Sequence, residues 1–488
     1  MTVAEPRRPW PWLLAPLLAL VALAAIDSSP PVADDWYSID FIGGWVRDGS
    51  LFSRAFQPYE SHWSPIFVLG SGLALWLDPA GWGVWPLRAL NAMALALSLL
   101  ALFRLLRWLG ASWLATALAG LLLTFHQAVI GVQYQWDSIG PMWGDALCRW
   151  AAVLALAPLL GRGRPGPLRS LAVALLTFVA LASKETALAT LAGTGVLVLG
   201  TTLLRPGVER PLRRAALTLA PMVLAVLAFA AIRQTAGGAT DLPNTPYGLA
   251  SPLVWPKSLA MLGGALLSPV STLTLWDAAH EHAVLPLALG ALLTLAMALF
   301  LLPTARWRTG ASPPLGLAPI ALLLAIPAAF LPMVLMRHVS ENYLTPSSFF
   351  LALAFACALD RRLAPALGAR RAMVLLVATG LLASHVIGWS GKLVVLRKTG
   401  QESIAQARLY LPALRALPDD ALVELRRPPE PGERPPYSVY RSVNPRGVLF
   451  NLLHAESRTI DVIAPHQTPT HRATLAGTEV TLEPLPPP

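Results

Sequence analysis

The sequence predicts an α-helical polytopic membrane protein with a small soluble α+β unit at its C-terminus. Three observations carry that class. Of 488 residues, 55% are hydrophobic and only 13% charged, with a mean hydropathy of +0.56; a soluble domain carries about 25% charged residues. Apolar runs such as Leu287–Leu302 and Leu315–Leu335 approach the roughly 20 residues that a helix needs to cross a bilayer. Basic residues fall in short blocks between such runs, at Arg7/Arg8, Arg104/Arg107, Arg162–Arg169, Arg205–Arg214, Arg306/Arg308 and Arg361–Arg371. That is the positive-inside pattern of cytoplasmic loops.

The net charge of +10 is therefore a topological signal. No interleaving of basic and aromatic residues accompanies it, and nucleic acid is excluded as a partner. Disordered and disulfide-scaffold classes fail on the high apolar content and the two cysteines. Cys148 and Cys357 lie in apolar stretches as small packing residues.

Taking every basic block as cytoplasmic gives a consistent path. The N-terminus stays inside and Trp10–Ile26 is the first crossing, a cleaved signal segment being the alternative. Hairpins follow at 113–130 with 146–160, 168–183 with 186–203, 215–232 with 284–303 and 316–335 with 345–359. A last crossing lies at 372–389. The expectation is about 11 spans, within a range of roughly 10–13. Ser64–Leu77 is short for a span, and Pro252–Trp276 is ambiguous. Residues 1–390 form the membrane domain and 391–488 an extracytoplasmic one. The tail holds 14 prolines and short alternating stretches at Ser438–Val443, Thr459–Ile463 and Glu479–Leu482, which read as strands.

The acids fall on the other side from the basic blocks. Of the 17 acids before residue 391, only Glu5, Glu209 and Asp360 lie in or beside a basic block. The outer loops also gather Trp, Tyr, His, Gln and Asn, as one assembled polar site would. The first opens with Asp34-Asp35-Trp36-Tyr37. Adjacent carboxylates repel, which raises one pKa and suits a general base or a cation site; the same pair would serve as a helix N-cap. That loop re-enters lipid through His62-Trp63-Ser64-Pro65. The second outer loop, Gln133 to Asp137 with Trp136, then Asp145, has the aromatic, amide and carboxylate groups that hold sugars or form an interfacial belt.

Ser183-Lys184-Glu185 interrupts a stretch without other charge between Arg169 and Arg205. Ionisable groups at such depth cost about 2.5–3.5 kcal/mol each, so function is the default reading. A late loop, Arg337-His338 to Glu341, Tyr343 and Pro346, joins a cation, an imidazole, a carboxylate and a phenol. Asp277 to His282 lacks the His-Glu-x-x-His spacing of a metal site and reads as a plain loop. There is no Walker A sequence, dinucleotide fingerprint or Gly-x-Ser-x-Gly elbow.

In this order and on one side, these features resemble the GT-C glycosyltransferases, multi-span enzymes that use polyprenyl-phosphate sugars. The protein O-mannosyltransferases and the aminoarabinose transferases of lipid A are of this type. The likeness covers about residues 10–360. It rests on Asp34 and Asp35, the His62–Pro65 re-entry, Asp137 and Asp145, Lys184 and Glu185, and Tyr343 with Pro346. Two positions depart from it: Asn342 stands where relatives often have Arg, and His62 where some have Lys.

The resemblance implies an inverting single displacement at the extracytoplasmic face of a bacterial-type inner membrane. Asp35 or Asp34 would take the proton of an acceptor hydroxyl on a lipid, glycan or protein. Lys184, with His62 or Arg337, would hold the donor phosphate, and Glu185, His338, Tyr343, Asp137 and Trp136 would complete the donor site. A divalent cation is a possible addition, with its ligands unknown. The competing class is a secondary transporter or lipid flippase, whose ionisable residues would line a mid-membrane pathway.

Overall fold

In a computed structural model, the described residues are 10–26, 29–31, 35–58, 62–163, 165–204, 210–236, 249–302, 319–336, 340–414, 417, 422–426, 461–462, 470–476 and 479–486. They form a polytopic helical bundle with a small sheet after it. The helices are α1 (Trp10–Ile26), α2 (Asp35–Arg47), α3 (Leu51–Ala55), α4 (Pro65–Leu77), α5 (Val84–Trp108), α6 (Trp113–Thr124), α7 (Val129–Tyr134) and α8 (Ile139–Leu156). The chain continues with α9 (Pro167–Ser183), α10 (Ala187–Leu204), α11 (Pro211–Thr235), α12 (Trp255–Leu267), α13 (Thr272–His280) and α14 (Val284–Leu301). The last three helices are α15 (Pro319–Val334), α16 (Thr345–Leu363) and α17 (Gly368–Leu414).

Six of the described helices are long and apolar enough to cross a membrane, and shorter apolar helices pack among them. Burial separates core from periphery. α16 is buried on every side from Thr345 to Leu359, as a helix at the centre of a bundle must be. α11 and α14 are only 22% buried along their apolar windows, so their remaining surface faces lipid. Between helices there is no hydrophobic gain inside a bilayer, and close packing replaces it. Gly193 and Gly200 of α10 provide that closeness. A Cβ on Gly193 would lie 2.4 Å from the Phe350 ring of α16, and one on Gly200 2.3 Å from Ala321 of α15.

Polar groups finish the helix ends. Arg362, in the last turn of α16, donates to the carbonyls of Leu299, Phe300 and Leu302 at 2.8, 3.0 and 3.2 Å. Those carbonyls lie at the C-terminus of α14, where the helix leaves its own acceptors unpaired. Asp360 accepts from the backbone N–H of Ser112, the N-cap of α6, at 2.7 Å.

Three expectations shift in the structure. The crossing expected at 113–130 breaks after Thr124, because His126 and Gln127 turn inward. They donate to the carbonyls of Leu266 and Ala265 at the end of α12, at 2.8 and 2.7 Å. α5, which the segment-by-segment reading left undelimited, is the return crossing after α1 and packs along it. The last helix does not stop at 389 but runs unbroken to Leu414. The ambiguous stretches resolve as helices too short to span. α4 has 13 residues, about 20 Å at 1.5 Å per residue, against a hydrocarbon core of roughly 30 Å.

The sheet has the order β2-β1-β3-β4, with β1 (Leu422–Arg426), β2 (Asp461–Val462), β3 (His471–Ala476) and β4 (Glu479–Pro484). β1 runs parallel to β2 and β3, and β3 pairs antiparallel with β4. The strand expected at Ser438–Val443 lies outside the described residues. Val423 and Ala473 of the sheet join Ala407, Tyr410 and Leu414 of α17 in one apolar cluster with Ile39 and Ile42 of α2 and Trp136. The C-terminal unit is thereby seated against the loops that carry the polar residues.

Candidate functional site

Asp35 opens the first turn of α2 and is 1% exposed. Its Oδ1 accepts the backbone N–H of Trp136 at 2.8 Å. The Trp136 indole donates to the Trp82 carbonyl at 3.0 Å and is itself buried. Beside it, the Tyr134 hydroxyl donates to the Pro30 carbonyl at 2.8 Å, while the Arg88 guanidinium lies 5.0 Å above the Tyr134 ring. The first and second outer loops are thus clasped around one carboxylate. The Trp136 N–H thereby holds the Asp35 carboxylate in one orientation. Asp34 lies outside the described residues, and so does the side chain of Asp137.

The second outer loop also meets the late loop. Asn342 donates from its Nδ2 to Gln135 Oε1 at 2.6 Å. It lies directly over Gly131, where a Cβ would come within 2.1 Å of Asn342 Oδ1. Glu341 is buried, accepts the backbone N–H of Thr272 at the start of α13, and pairs with Lys392 of α17. Tyr343 packs half-buried against the main core. Arg337 and His338 lie outside the described residues.

Lys184 sits at the end of α9 with extended backbone, φ −165° and ψ 138°. It is half-buried, and its ammonium makes no hydrogen bond or ion pair among the described residues. Glu185 next to it bridges two elements. Its Oε2 lies 3.0 Å from His62 Nδ1, and its Oε1 lies 3.5 Å from Arg233 Nε at the end of α11. Burial raises the Glu185 pKa, but the His62 hydrogen bond and charge, with Lys184, outweigh it and hold the carboxyl below its ordinary value of 4.5. The start of α8 connects this corner to Asp35. A Cβ on Gly140 would contact Phe67 and Lys184 Cβ at 3.3 and 3.4 Å, only four residues after the Trp136 N–H.

The structure therefore gathers Asp35 with Trp136, and His62 with Lys184 and Glu185, and links the two groups through residues 136–140. Sequence reasoning did not single out Arg233 and Lys392. Arg233 had a signal: it is a lone cation outside every basic block, at the far end of an apolar helix. Lys392 had none, because a span that ends at 389 leaves it in the tail. Among the described residues, no three His, Cys, Asp or Glu side chains converge as a metal site.

The fold and these side chains define a polytopic helical membrane protein with a buried carboxylate at Asp35 and a mixed-charge corner at His62, Lys184, Glu185 and Arg233. Among solved structures, the chain is similar to ArnT from Cupriavidus metallidurans bound to undecaprenyl phosphate, with a TM-score of 0.51 and 14% identity over 96% of this chain and 93% of that one. It is also similar to the arabinofuranosyltransferase AftD from Mycobacteria, with a TM-score of 0.52 and 14% identity; 94% of this chain is covered but only 32% of AftD. The fold is that of the GT-C membrane glycosyltransferases. No protein-family model and no curated protein matches the sequence.

Proposed function

We propose that the chain is a membrane glycosyltransferase that moves a sugar from a polyprenyl-phosphate donor to an acceptor hydroxyl at the extracytoplasmic face. The observation that carries this reading is the pairing, through residues 136–140, of a buried, oriented carboxylate at Asp35 with a cationic corner at Lys184. Single displacement needs both. The carboxylate, from Asp35 or its neighbour Asp34, takes the acceptor proton as the oxygen attacks C1. The C1–O bond to phosphate breaks with its electron pair, and the cations stabilise the departing polyprenyl phosphate in a partly dry site. Attack opposite the leaving group inverts C1.

In this reading the donor phosphate rests on Lys184 and His62, with Arg337 as a further cation. Tyr343, His338, Asp137 and Trp136 shape the sugar side, Trp136 acting through its hold on Asp35. The acceptor is a lipid, glycan or protein carrying a hydroxyl. The N-terminus is cytoplasmic, residues 1–390 form the catalytic membrane domain, and residues 391–488 lie outside, in a bacterial-type inner membrane. That ArnT is found with undecaprenyl phosphate supports a donor of the same chemistry.

The test is sugar transfer in proteoliposomes from a labelled polyprenyl-phosphate sugar. Lys184→Ala should lower transfer about 10- to 150-fold, the equivalent of a charge-assisted contact of roughly 1.5–3 kcal/mol, and Lys184→Arg should keep part of it. Lipid movement between leaflets without a glycosylated product would overturn the assignment in favour of transport.

A further inference from the structure

The cationic corner holds more charge than a single lysine, and it also holds its own anion. Three separate elements build it: the re-entry before α4 gives His62, the α9–α10 tip gives Lys184 and Glu185, and the end of α11 gives Arg233. The same elements supply an aromatic floor. Trp63 follows His62, Phe229 precedes Arg233 by one helical turn, and Phe178 lies on α9. The Trp63 ring centroid is 5.7 Å from that of Phe229 and 6.4 Å from that of Phe178. All three belong to one apolar cluster. The rings brace the rim from beneath, Trp63 and Phe229 being buried, and a cationic rim beside the exposed apolar face of α11 fits an amphiphile better than a free anion. α11 is mostly exposed to lipid, so such a molecule reaches the rim sideways from the bilayer.

Glu185 is the unusual member. It is a carboxylate between an imidazole and a guanidinium, at the position where a phosphate would draw on the same donors. Removing buried charges from water costs several kcal/mol unless they are paired; in the resting protein Glu185 supplies that pairing. A phosphate arriving at Lys184 meets this anion at close range.

We infer that Arg233 is a second permanent cation of a lipid-phosphate site and that Glu185 is its built-in counter-anion, displaced when the phosphate binds. This rests on the donor reading above and deepens it. Arg233 meets Glu185 as an ion pair at 3.5 Å, with no hydrogen bond between its Nε and the facing Glu185 Oε1, so its forked donor set can turn to a phosphate at little loss. Glu185 therefore weakens phosphate binding, and its neutralisation strengthens it. A donor-supporting role for Glu185 requires the opposite sign.

The experiment measures binding of undecaprenyl phosphate to the full-length protein in nanodiscs, with undecaprenol and inorganic phosphate as the other arms. Glu185→Gln should tighten undecaprenyl phosphate roughly five- to tenfold, about the effect of one near-surface charge. Arg233→Gln should weaken it roughly ten- to hundredfold, and Arg233→Lys should retain much of the affinity. Undecaprenol should bind all variants alike. Weaker binding by Glu185→Gln, unchanged binding by Arg233→Gln, or equal losses in Arg233→Gln and Arg233→Lys would each overturn the inference. So would inorganic phosphate binding as tightly as the lipid, because the apolar face of α11 would then contribute nothing. If Lys184→Gln weakens binding while the Arg233 and Glu185 variants do not, only the inference fails. If the wild type does not distinguish undecaprenyl phosphate from undecaprenol, the donor reading itself fails.

Discussion

Asp35 is a buried acid and Glu185 a half-buried one, and their surroundings differ. Asp35 is oriented by one backbone N–H, whereas Glu185 lies between the His62 imidazole and the Arg233 guanidinium. Asp34→Asn and Asp35→Asn should therefore differ in transfer rate, with Asp35→Asn losing about 10²–10⁴-fold, the usual worth of a general base. Equal wild-type rates in both would return the pair to helix capping. Glu185 gives a pH prediction. Because its folded pKa lies below the ordinary 4.5, its ion-pair stabilisation is complete above that value and is lost only as pH falls through the lowered one. The difference in melting temperature between wild type and Glu185→Gln should persist from pH 7 to pH 5 and shrink below the ordinary carboxylate range. A difference that collapses between pH 7 and pH 5 would contradict this ionisation state.

At the scale of elements, two buried contacts register the loops against the bundle. Gly131 leaves room for Asn342, so Gly131→Ala must push Asn342 off Gln135. A neutral hydrogen bond contributes about 0.5–1.5 kcal/mol, and transfer should fall by up to about tenfold. In an Asn342→Ala background, Gly131→Ala should add nothing; an additive loss would place the effect elsewhere. Asp145, expected in the second outer loop, lies instead buried within α8, where it pairs with Arg149 at 3.6 Å. Thr190 donates to Asp145 at 3.1 Å, and Arg149 donates to the Thr345 carbonyl at the head of α16 at 2.7 Å. Removing one partner strands a buried charge and costs about 3–5 kcal/mol. Asp145→Leu alone should lower the melting temperature sharply, and Asp145→Leu with Arg149→Met should recover much of it. A double variant worse than the single would mean that the Thr345 contact outweighs the pair.

The elements also mark how far the sequence could be read. Trp10–Ile26 and Val284–Leu301 were legible because an uninterrupted apolar run has one sensible destination. The break at Thr124 was not, because Gln127 and His126 look like polar residues near a span end until the α12 carbonyls come within reach. The His62–Glu185 contact joins residues 123 positions apart, and neither spacing nor periodicity carries information over that distance. The basic blocks give the acids an expected side; their partners were decided by packing.

For the whole molecule, the alternation of basic and acidic loops sets an orientation that can be tested directly. Single cysteines at Asp137, Thr240 and Tyr440 should label from outside intact cells, against a background in which the native Cys148 and Cys357 are buried. Protection of Tyr440→Cys would put the C-terminal unit on the wrong side for its contacts with α2 to serve an outer site. The apolar cluster that Ile39 and Ile42 share with Tyr410 and Val423 ties the sheet to the element that carries Asp35. The most direct measurement of the central claim is transfer by the purified wild type in proteoliposomes, offered the same labelled sugar once on undecaprenyl phosphate and once on a nucleotide. The account predicts product from the lipid-linked donor only, with C1 inverted, and a large loss of that product in Asp35→Asn. Product from the nucleotide sugar alone, or retention at C1, would contradict it.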